Sequence, residues 1–348
     1  MNKELQSRQI RHNILWWVGR ILLGFVALLL VVVVITLIAG AIAKSNLKAH
    51  YPPPGMMVDV GGYRLHIFCE GSGSPTVIME SGSTDSSLIW ARVRPEIVKT
   101  TRTCVYDRAG LGWSEPSLQP RTAATIVEEL HTLLVNGGIT GPYVLVGHSI
   151  GGAYVRLYAH NYPESVVGMV LVDSSHEAQS ARLPAEIVQL GRQGAEQIEQ
   201  ELALYKPLAK MGLLALAHTW LPANDRLPVA ARESEQALMA EPKFLNTLIA
   251  EQATAETHVA EVAAAQITTV GDIPLIVLSA GRHEMPGDVP PAVVEEMAQV
   301  WQQLQAELAT RSPQGKQVAV AESGHYIHLE QPQVVIDAID EVVTATRQ

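Results

Sequence analysis

A continuous apolar run over residues 21–43 restricts the fold of this chain more than any other feature, because it contains no charged side chain. At 1.5 Å per residue, a helix of this length covers roughly the 30 Å of bilayer hydrocarbon, whereas the apolar core of a signal peptide has only about 7 to 15 residues. We therefore predict one retained transmembrane helix over residues 21–43. A cleaved signal sequence is the alternative, because Ala41-Ile42-Ala43 has the small-x-small form of a cleavage site.

The charges that flank this run predict its orientation. Basic side chains are more numerous before it than after it, namely Lys3, Arg8, Arg11 and Arg20 before it and Lys44 and Lys48 after it. Because basic residues are retained on the cytoplasmic side, we predict that residues 1–20 are cytoplasmic and that the chain beyond about residue 48 is extracytoplasmic. Residues 44–56, with the stiff segment Pro52-Pro53-Pro54, form the predicted linker, and the lipid bilayer is a predicted partner.

The composition of the 348 residues is that of a protein with a packed core, because 47% of them are apolar. The 25 Lys and Arg side chains are outnumbered by 35 Asp and Glu, and no basic run occurs after the first twenty residues, so nucleic acid is not an expected partner. Two cysteines are too few to hold a domain of this size together. No Cys/His cluster has zinc spacing, and we expect neither a metal nor a cofactor.

Short β-branched runs alternate with longer helix-forming stretches from residue 57 onwards. Seven strands are predicted, at residues 64–69, 76–79, 103–106, 143–146, 167–172, 275–278 and 317–320. Continuous apolar runs, such as the one at 144–146, are typical of strands that helices cover on both faces. The predicted fold class is therefore α/β, with a mostly parallel twisted sheet.

One interval, residues 174–272, breaks this alternation, because it is mostly helix-forming and contains no convincing strand. Helical periodicity is clearest at 185–202 and 230–239, and prolines punctuate the interval at Pro207, Pro222, Pro228 and Pro242. At about a hundred residues, the interval far exceeds what one strand-to-strand connection needs. We predict a helical cap inserted between the two parts of one core, residues 57–173 and 273–348.

The pentapeptide Gly147-His148-Ser149-Ile150-Gly151 lies between a predicted strand and a helix-forming stretch. A sharp strand-to-helix turn holds such a serine in a strained backbone conformation, and the residues two before and two after it must be small. A serine presented in this way is typical of a catalytic nucleophile.

Three further segments resemble the α/β-hydrolase superfamily, and the resemblance extends from about Met57 to the carboxyl end. They are the loop at 80–83, the Asp-x-x-Gly-x-Gly-x-Ser turn at 107–114 and the histidine loop at 323–332. The resemblance implies the α/β-hydrolase fold with an inserted cap. A serine at position 149 implies acyl transfer through an ester intermediate, because dehalogenases and epoxide hydrolases of this superfamily carry aspartate there.

The base that deprotonates Ser149 is predicted to be His325. It follows the last strand, on a loop at the carboxyl end of the sheet, where open α/β sheets place their ligands, and histidine titrates near neutral pH. His328 is the local alternative, although we expect it to pack against or cap the final helix. His148 is expected to be structural, because adjacent side chains at the turn point apart.

The acid that orients His325 must lie between residues 150 and 324 if the usual chain order holds. Asp173 directly follows the strand at 167–172, a position that some lipases of this superfamily use. Glu284 and Asp288 lie in the later loop, where most members carry an aspartate. We predict Asp173, because a short carboxylate at a strand end is better positioned in advance, and Glu284 and Asp288 remain alternatives.

The resemblance also implies an oxyanion hole. It combines the backbone N–H of Ile150 with one from the loop 82–84, and Ser83 is the expected donor by alignment with the residue after the usual His-Gly. Cys69 and Cys104 fall on strands that this fold places side by side. The sequence leaves two states possible for this pair, a disulfide or two buried thiols.

Together these residues predict a membrane-anchored serine hydrolase that cleaves a small carboxylic ester through an acyl-enzyme intermediate. An aminopeptidase or a perhydrolase that uses the same triad is an alternative, and so is a non-catalytic ligand-binding receptor. The apolar cap segment at 211–217 lines an acyl pocket, touches lipid or packs inside the cap; the sequence leaves these three readings open.

Overall fold

Eight strands form one sheet in the computed structural model, which describes residues 2–283, 285 and 289–348. The strands are β1 (Met56–Asp59), β2 (Arg64–Glu70), β3 (Thr76–Glu80), β4 (Thr103–Tyr106), β5 (Tyr143–His148), β6 (Val166–Val172), β7 (Leu275–Ala280) and β8 (Gly315–Val320). Their order is β1-β2-β4-β3-β5-β6-β7-β8; β2 is antiparallel to both of its neighbours, and the remaining pairs are parallel. The predicted fold class is confirmed.

Every predicted strand is present, and most extend one or two residues beyond the predicted ends. Strand β1 was not predicted. It is only four residues long and Val58 is its one buried side chain, so it has no alternating pattern. The central strands β5 and β6 are almost entirely buried, as expected for parallel strands that are covered on both faces.

The helices fall into an N-terminal segment, a core and a cap. They are α1 (Asn2–His50), α2 (Arg94–Ile97), α3 (Ala123–Asn136), α4 (Ile150–Asn161), α5 (Gln179–Arg182), α6 (Ala185–Met211), α7 (Leu213–Leu216), α8 (Val229–Met239), α9 (Pro242–Ala264), α10 (Pro291–Ala309), α11 (Ile327–Glu330) and α12 (Pro332–Ala345). Short 3-10 helices lie at Ser87–Trp90, Pro163–Ser165 and His218–Trp220. Helices α5 to α9 lie between β6 and β7, and we call them the cap.

The prolines of the cap do not all interrupt helices. Pro228 is the N-cap residue of α8 and Pro242 begins α9, as predicted. Pro207 was expected to break a helix, but it lies inside α6. Pro207 and Ala203, whose carbonyl loses its hydrogen-bond donor, are both exposed, so water can replace that donor and reduce the usual cost of a proline in a helix.

Helix α1 is long and apolar enough to cross a membrane from Gln6 to His50. It continues through residues 44–50, which the sequence had assigned to the linker, and it ends just before Pro52. Proline disfavours helical backbone in the residue that precedes it, so the helix stops there and only residues 51–55 remain as a spacer before β1.

A disulfide joins Cys69 of β2 to Cys104 of β4. The two residues are directly opposite each other in this antiparallel pair. The predicted proximity of the two strands is therefore confirmed, and of the two states left open by the sequence, the structure has the disulfide.

Candidate active site

Ser149 lies at the turn between β5 and α4, and its backbone is strained. Its φ of 55° and ψ of −126° fall in a region that residues with side chains rarely adopt. The turn is also crowded, because a Cβ on Gly147 would lie 2.6 Å from the Cα of Gly152, and a Cβ on Gly151 would overlap the carbonyl oxygen of Ser81. The two small residues that flank the serine are therefore required by close backbone approach.

Asp173 and His325 form a hydrogen-bonded pair at the carboxyl end of the sheet. The Nδ1–H of His325 donates to Oδ2 of Asp173 at 2.6 Å. With Nδ1 carrying this proton, Nε2 is the basic nitrogen of the ring. The structure thus brings together the predicted base and the preferred acid, whereas Glu284 and Asp288 lie outside the described residues.

His148 connects the serine turn to the histidine loop. Its Nε2–H donates to the carbonyl oxygen of His325 at 3.1 Å, and the centroids of the two rings are 4.6 Å apart. Because His148 immediately precedes Ser149, this contact holds His325 beside the turn. The hydroxyl of Ser149 donates no hydrogen bond to another described residue, as is common for nucleophiles before substrate binds.

The carboxylate of Asp173 is held by two donors in addition to His325. Its Oδ1 accepts hydrogen bonds from the backbone N–H of Ala280 and from the indole Nε1–H of Trp301, both at 2.8 Å. Trp301 lies on α10, more than a hundred residues away in sequence, and the sequence analysis did not identify it. A lone tryptophan on a helix carries no sequence signal for this role, since only the tertiary fold brings it to the acid.

Replacing Trp301 by phenylalanine is expected to lower kcat about tenfold with little change in KM, because the carboxylate loses one charge-assisted hydrogen bond and orients His325 less firmly. The measurement is steady-state kinetics on an aryl ester. Trp113→Phe is the matched control, since its indole donates to the carbonyl oxygen of Tyr51 and not to the acid. Equal losses of kcat in the two variants would contradict the proposal that Trp301 positions Asp173.

The two predicted oxyanion-hole donors are both unoccupied by protein acceptors. Among the described residues, neither the backbone N–H of Ile150, at the start of α4, nor that of Ser83 donates to another group. The N–H of Thr84, in contrast, donates to the carboxylate of Glu251 at 2.7 Å. Of the N–H groups of Ser83 and Thr84, only that of Ser83 is left without an acceptor among the described residues, and Ser83 stays the predicted second donor.

Arg108 ties this loop to the cap. Its guanidinium donates to the carbonyl oxygens of Ser81 and Gly82 at 2.8 and 2.6 Å, and it pairs with Glu251 of α9 at 2.8 Å. The arginine and Glu251 are almost fully buried, and a second carboxylate, that of Glu80, accepts at 2.7 Å. A buried cation with two carboxylates fixes the position of the oxyanion loop relative to the cap.

The histidines near Ser149 differ in their pKa values. Burial disfavours the charged form of His325, but its hydrogen bond to Asp173 and the negative charges of Asp173 and Asp85 outweigh this and raise its pKa. Burial lowers the pKa of His148 well below its usual value and that of His328 to about 3. Of the three rings, only that of His325 is hydrogen-bonded to a carboxylate of the described residues, as a base of this kind requires. Nδ1 of His148 lies 3.8 Å from Oδ2 of Asp85 and makes no hydrogen bond to it.

His328, the alternative base, lies inside the core. Its ring packs 4.7 Å from the Trp90 ring and 4.4 Å from that of His148, and neither of its ring nitrogens has a hydrogen-bond partner among the described residues. The residue belongs to the short helix α11, which agrees with the packing role that the sequence suggested.

The pH dependence of catalysis is expected to follow His325. Only the neutral ring accepts a proton, so kcat/KM falls on acidification, with a midpoint above the usual histidine value because the pKa is raised. Burial raises the pKa of Asp85 to about 7. When Asp85 is ionised, its negative charge stabilises the protonated ring of His325 and so raises the pKa of His325. Asp85→Asn is therefore expected to move the acid limb to lower pH. Asp225→Asn, at an exposed cap position, is the control and should leave the limb in place.

A cavity of about 350 Å³ opens beside His325. Its apolar wall includes Leu183 of the cap, Met297 and Trp301, and Arg226 and Arg282 line its rim. The cavity is large enough for a small organic group beside His325 and Asp173, which both line it.

The model of the alpha/beta hydrolase family matches residues 77–338 of this chain. Among curated proteins, the probable transporter efuK of Hormonema carpetanum is 35% identical over 136 residues, which cover 37% of this chain and 20% of that protein. The uncharacterized protein YbdG of Bacillus subtilis is 27% identical over 223 residues, which cover 63% of this chain and 65% of that protein. The chain thus spans less than two thirds of the length of either relative.

Solved structures share the fold at low sequence identity. The epoxide hydrolase CorEH is 19% identical with a TM-score of 0.60, and the match covers 83% of this chain and 97% of that one. A thermophilic esterase from Thermogutta terrifontis is 20% identical with a TM-score of 0.54, over 84% of this chain and 97% of that one. These similarities concern the backbone fold, on which unrelated reactions occur.

Proposed function

Because this chain belongs to the alpha/beta hydrolase family, we propose that it is a membrane-anchored serine hydrolase that cleaves carboxylic esters through an acyl-enzyme intermediate. The observation that carries the proposal is the strained serine turn beside a histidine whose Nδ1–H is held by Asp173. A serine at the turn favours ester chemistry over the reaction of epoxide hydrolases, whose nucleophile is an aspartate.

In the first half of the reaction, Ser149 Oγ attacks the carbonyl carbon of the ester while its proton passes to Nε2 of His325. The negative charge of Asp173 stabilises the imidazolium that forms. The N–H groups of Ile150 and Ser83 donate to the oxyanion of the tetrahedral intermediate; removal of one such donor typically costs about a hundredfold or more in rate. The C–O bond then breaks, the leaving alcohol takes the proton from His325, and the serine is acylated.

In the second half, water attacks the acyl-serine. His325 accepts a proton from this water and returns it to Ser149 Oγ as the acid leaves. No metal or cofactor enters either half, because the serine, the histidine and two backbone donors supply the nucleophile, the base and the charge stabilisation.

Membrane anchorage is part of the proposal and rests on α1. The helix is long enough to span a bilayer, and its apolar side chains are exposed along most of its length, which water does not favour. The Cys69–Cys104 disulfide supports placement of the catalytic domain on the extracytoplasmic side, since disulfides persist in oxidising compartments. With the basic residues before the span, this orientation puts the amino terminus in the cytoplasm.

A partition experiment tests the acyl-enzyme. Two acetate esters with different leaving groups are hydrolysed in the presence of methanol, and the ratio of methyl acetate to acetic acid is measured. Because both esters pass through the same acylated Ser149, the two ratios are expected to be equal. Unequal ratios would show direct attack by water, and absence of any turnover by folded protein would favour the ligand-binding receptor.

A further inference from the structure

The end of α1 that follows the apolar run packs directly on the cap. A Cβ on Gly212, in the turn between α6 and α7, would lie 2.5 to 2.6 Å from backbone atoms of Gly40, so the two backbones touch. The ammonium group of Lys44 donates to the carbonyl oxygen of Lys210 at 3.2 Å. Ala43 and Leu47 of α1 pack against a buried apolar cluster of the cap.

These contacts relate the cap to the membrane boundary. Lys44 is the first charge after the apolar run, so it marks the level at which the helix leaves the hydrocarbon. Gly40 precedes it by four residues and therefore lies about 6 Å deeper, at 1.5 Å per residue. The α6–α7 turn, which touches Gly40, is therefore placed about 6 Å below that level, within the outer part of the hydrocarbon.

Large apolar side chains are exposed on both sides of this turn. We name them the apolar cap face: Leu204, Tyr205, Leu208, Leu216 and Trp220. Leu204 and Trp220 are 73% and 88% exposed, and most of the large apolar side chains that are exposed outside α1 in the described residues belong to the cap. The surfaces of soluble proteins seldom expose so many large apolar side chains within one short stretch of chain, whereas a lipid surface accepts them.

Charge and residue type also fit a lipid surface. Lys206 and Lys210 lie on α6 among the apolar residues, and basic side chains at this level bind lipid phosphates. Tyrosine and tryptophan, both present on the apolar cap face, are the residues that membrane interfaces favour. Leu214 and Ala215, in contrast, are buried in the cap core, so the run at 211–217 is divided between the core and the surface.

We propose that the apolar cap face inserts into the lipid leaflet that α1 enters on the side of the catalytic domain, so that the cap is held on the membrane by its own surface as well as by the anchor. The occupant is the bilayer itself. The inference rests on the anchorage part of the proposed function and not on its ester chemistry. It goes beyond anchorage because it fixes the orientation of the cap, and with it the side from which lipid-soluble molecules approach.

Site-directed spin labelling of the full chain in phosphatidylcholine vesicles tests the proposal. Both native cysteines are bonded to each other, so one introduced cysteine carries the label. Labels at Leu204→Cys and Trp220→Cys report on the cap face, and one at Val31→Cys, inside the apolar run, is the reference for lipid. The control is Val135→Cys, a position on α3 that is 61% exposed and outside the cap.

We expect the labels at 204 and 220 to collide more often with dissolved oxygen than with a water-soluble nickel chelate, as the label at 31 does, and the label at 135 to show the reverse preference. The proposal is overturned if the two cap labels behave as the control does while the label at 31 reports lipid. It is also overturned if they are shielded from both reagents and broadened by dipolar coupling, which would indicate contact with a second copy.

Two further observations keep the test decisive. Thermal unfolding followed by circular dichroism checks that each labelled protein is folded, and Leu216→Cys replaces any cap variant that is not. A label at 31 that reports water would overturn both the anchorage and the cap insertion. Because no measurement here involves turnover, failure of the ester chemistry leaves the result unaffected.

Discussion

Ser149→Ala is expected to lower kcat for aryl esters by roughly 10⁴- to 10⁶-fold, because a methyl group has no oxygen to attack the carbonyl carbon and direct attack by water is far slower. KM should change little, since the cavity and the oxyanion donors remain. Steady-state kinetics on the purified full chain measures both parameters. The residual rate measures the rate acceleration that the oxyanion hole and substrate binding provide in the absence of the nucleophile.

The control for this variant is Ser165→Ala, which removes a hydroxyl from the short 3-10 helix that precedes β6. It should retain the full rate. A loss of kcat of less than about tenfold in Ser149→Ala would contradict the proposed nucleophile, because removal of the nucleophile from a catalytic triad lowers kcat far more than that.

Asp173→Asn is expected to lower kcat by roughly 10³- to 10⁴-fold while the fold is preserved. Asparagine has the shape of aspartate, and its carbonyl oxygen can take the hydrogen bonds from Ala280 and Trp301. Its NH₂ group then faces Nδ1 of His325 and favours the tautomer in which Nε2 carries the proton. A ring protonated at Nε2 has no free electron pair with which to accept the proton of Ser149.

Glu284→Gln is the matched carboxylate-to-amide change in the later loop, and its kcat should stay within about threefold of the wild-type value if Asp173 is the acid. Kinetics on the same aryl ester ranks the two variants. The opposite ranking would assign the acid to the later loop. Asp173 would then have only the structural role of accepting hydrogen bonds at the end of β6.

The strands and the serine turn were predictable because their signals are local. A buried parallel strand has a continuous apolar run in its sequence. The serine turn requires glycine at 147 and 151, because the backbone of the residues around the serine approaches both positions closely. The proximity of His325 and Asp173 was predictable because both residues follow strands of the sheet, and the carboxyl ends of parallel strands meet at one edge. Strand β1 escaped prediction because a four-residue edge strand with one buried side chain has no pattern.

The residues that position the site could not be predicted, because their contacts are long-range. Trp301 reaches the acid from α10, and Glu251 reaches the oxyanion loop from α9 in the cap. Each is an ordinary residue on an amphipathic helix, and nothing in its neighbourhood in the sequence distinguishes it. The packing of α1 on the cap has the same character, since Gly40 meets Gly212 only in the folded chain.

Covalent trapping at a single residue tests the central claim most directly. The full chain is treated with a fluorophosphonate, digested, and mapped by mass spectrometry. We predict one phosphonyl group, on the peptide that contains Ser149, and its loss after prior incubation with an aryl ester that acylates the same hydroxyl. A folded protein that takes up no reagent, or takes it up at another residue, would contradict the assignment of Ser149 as the nucleophile.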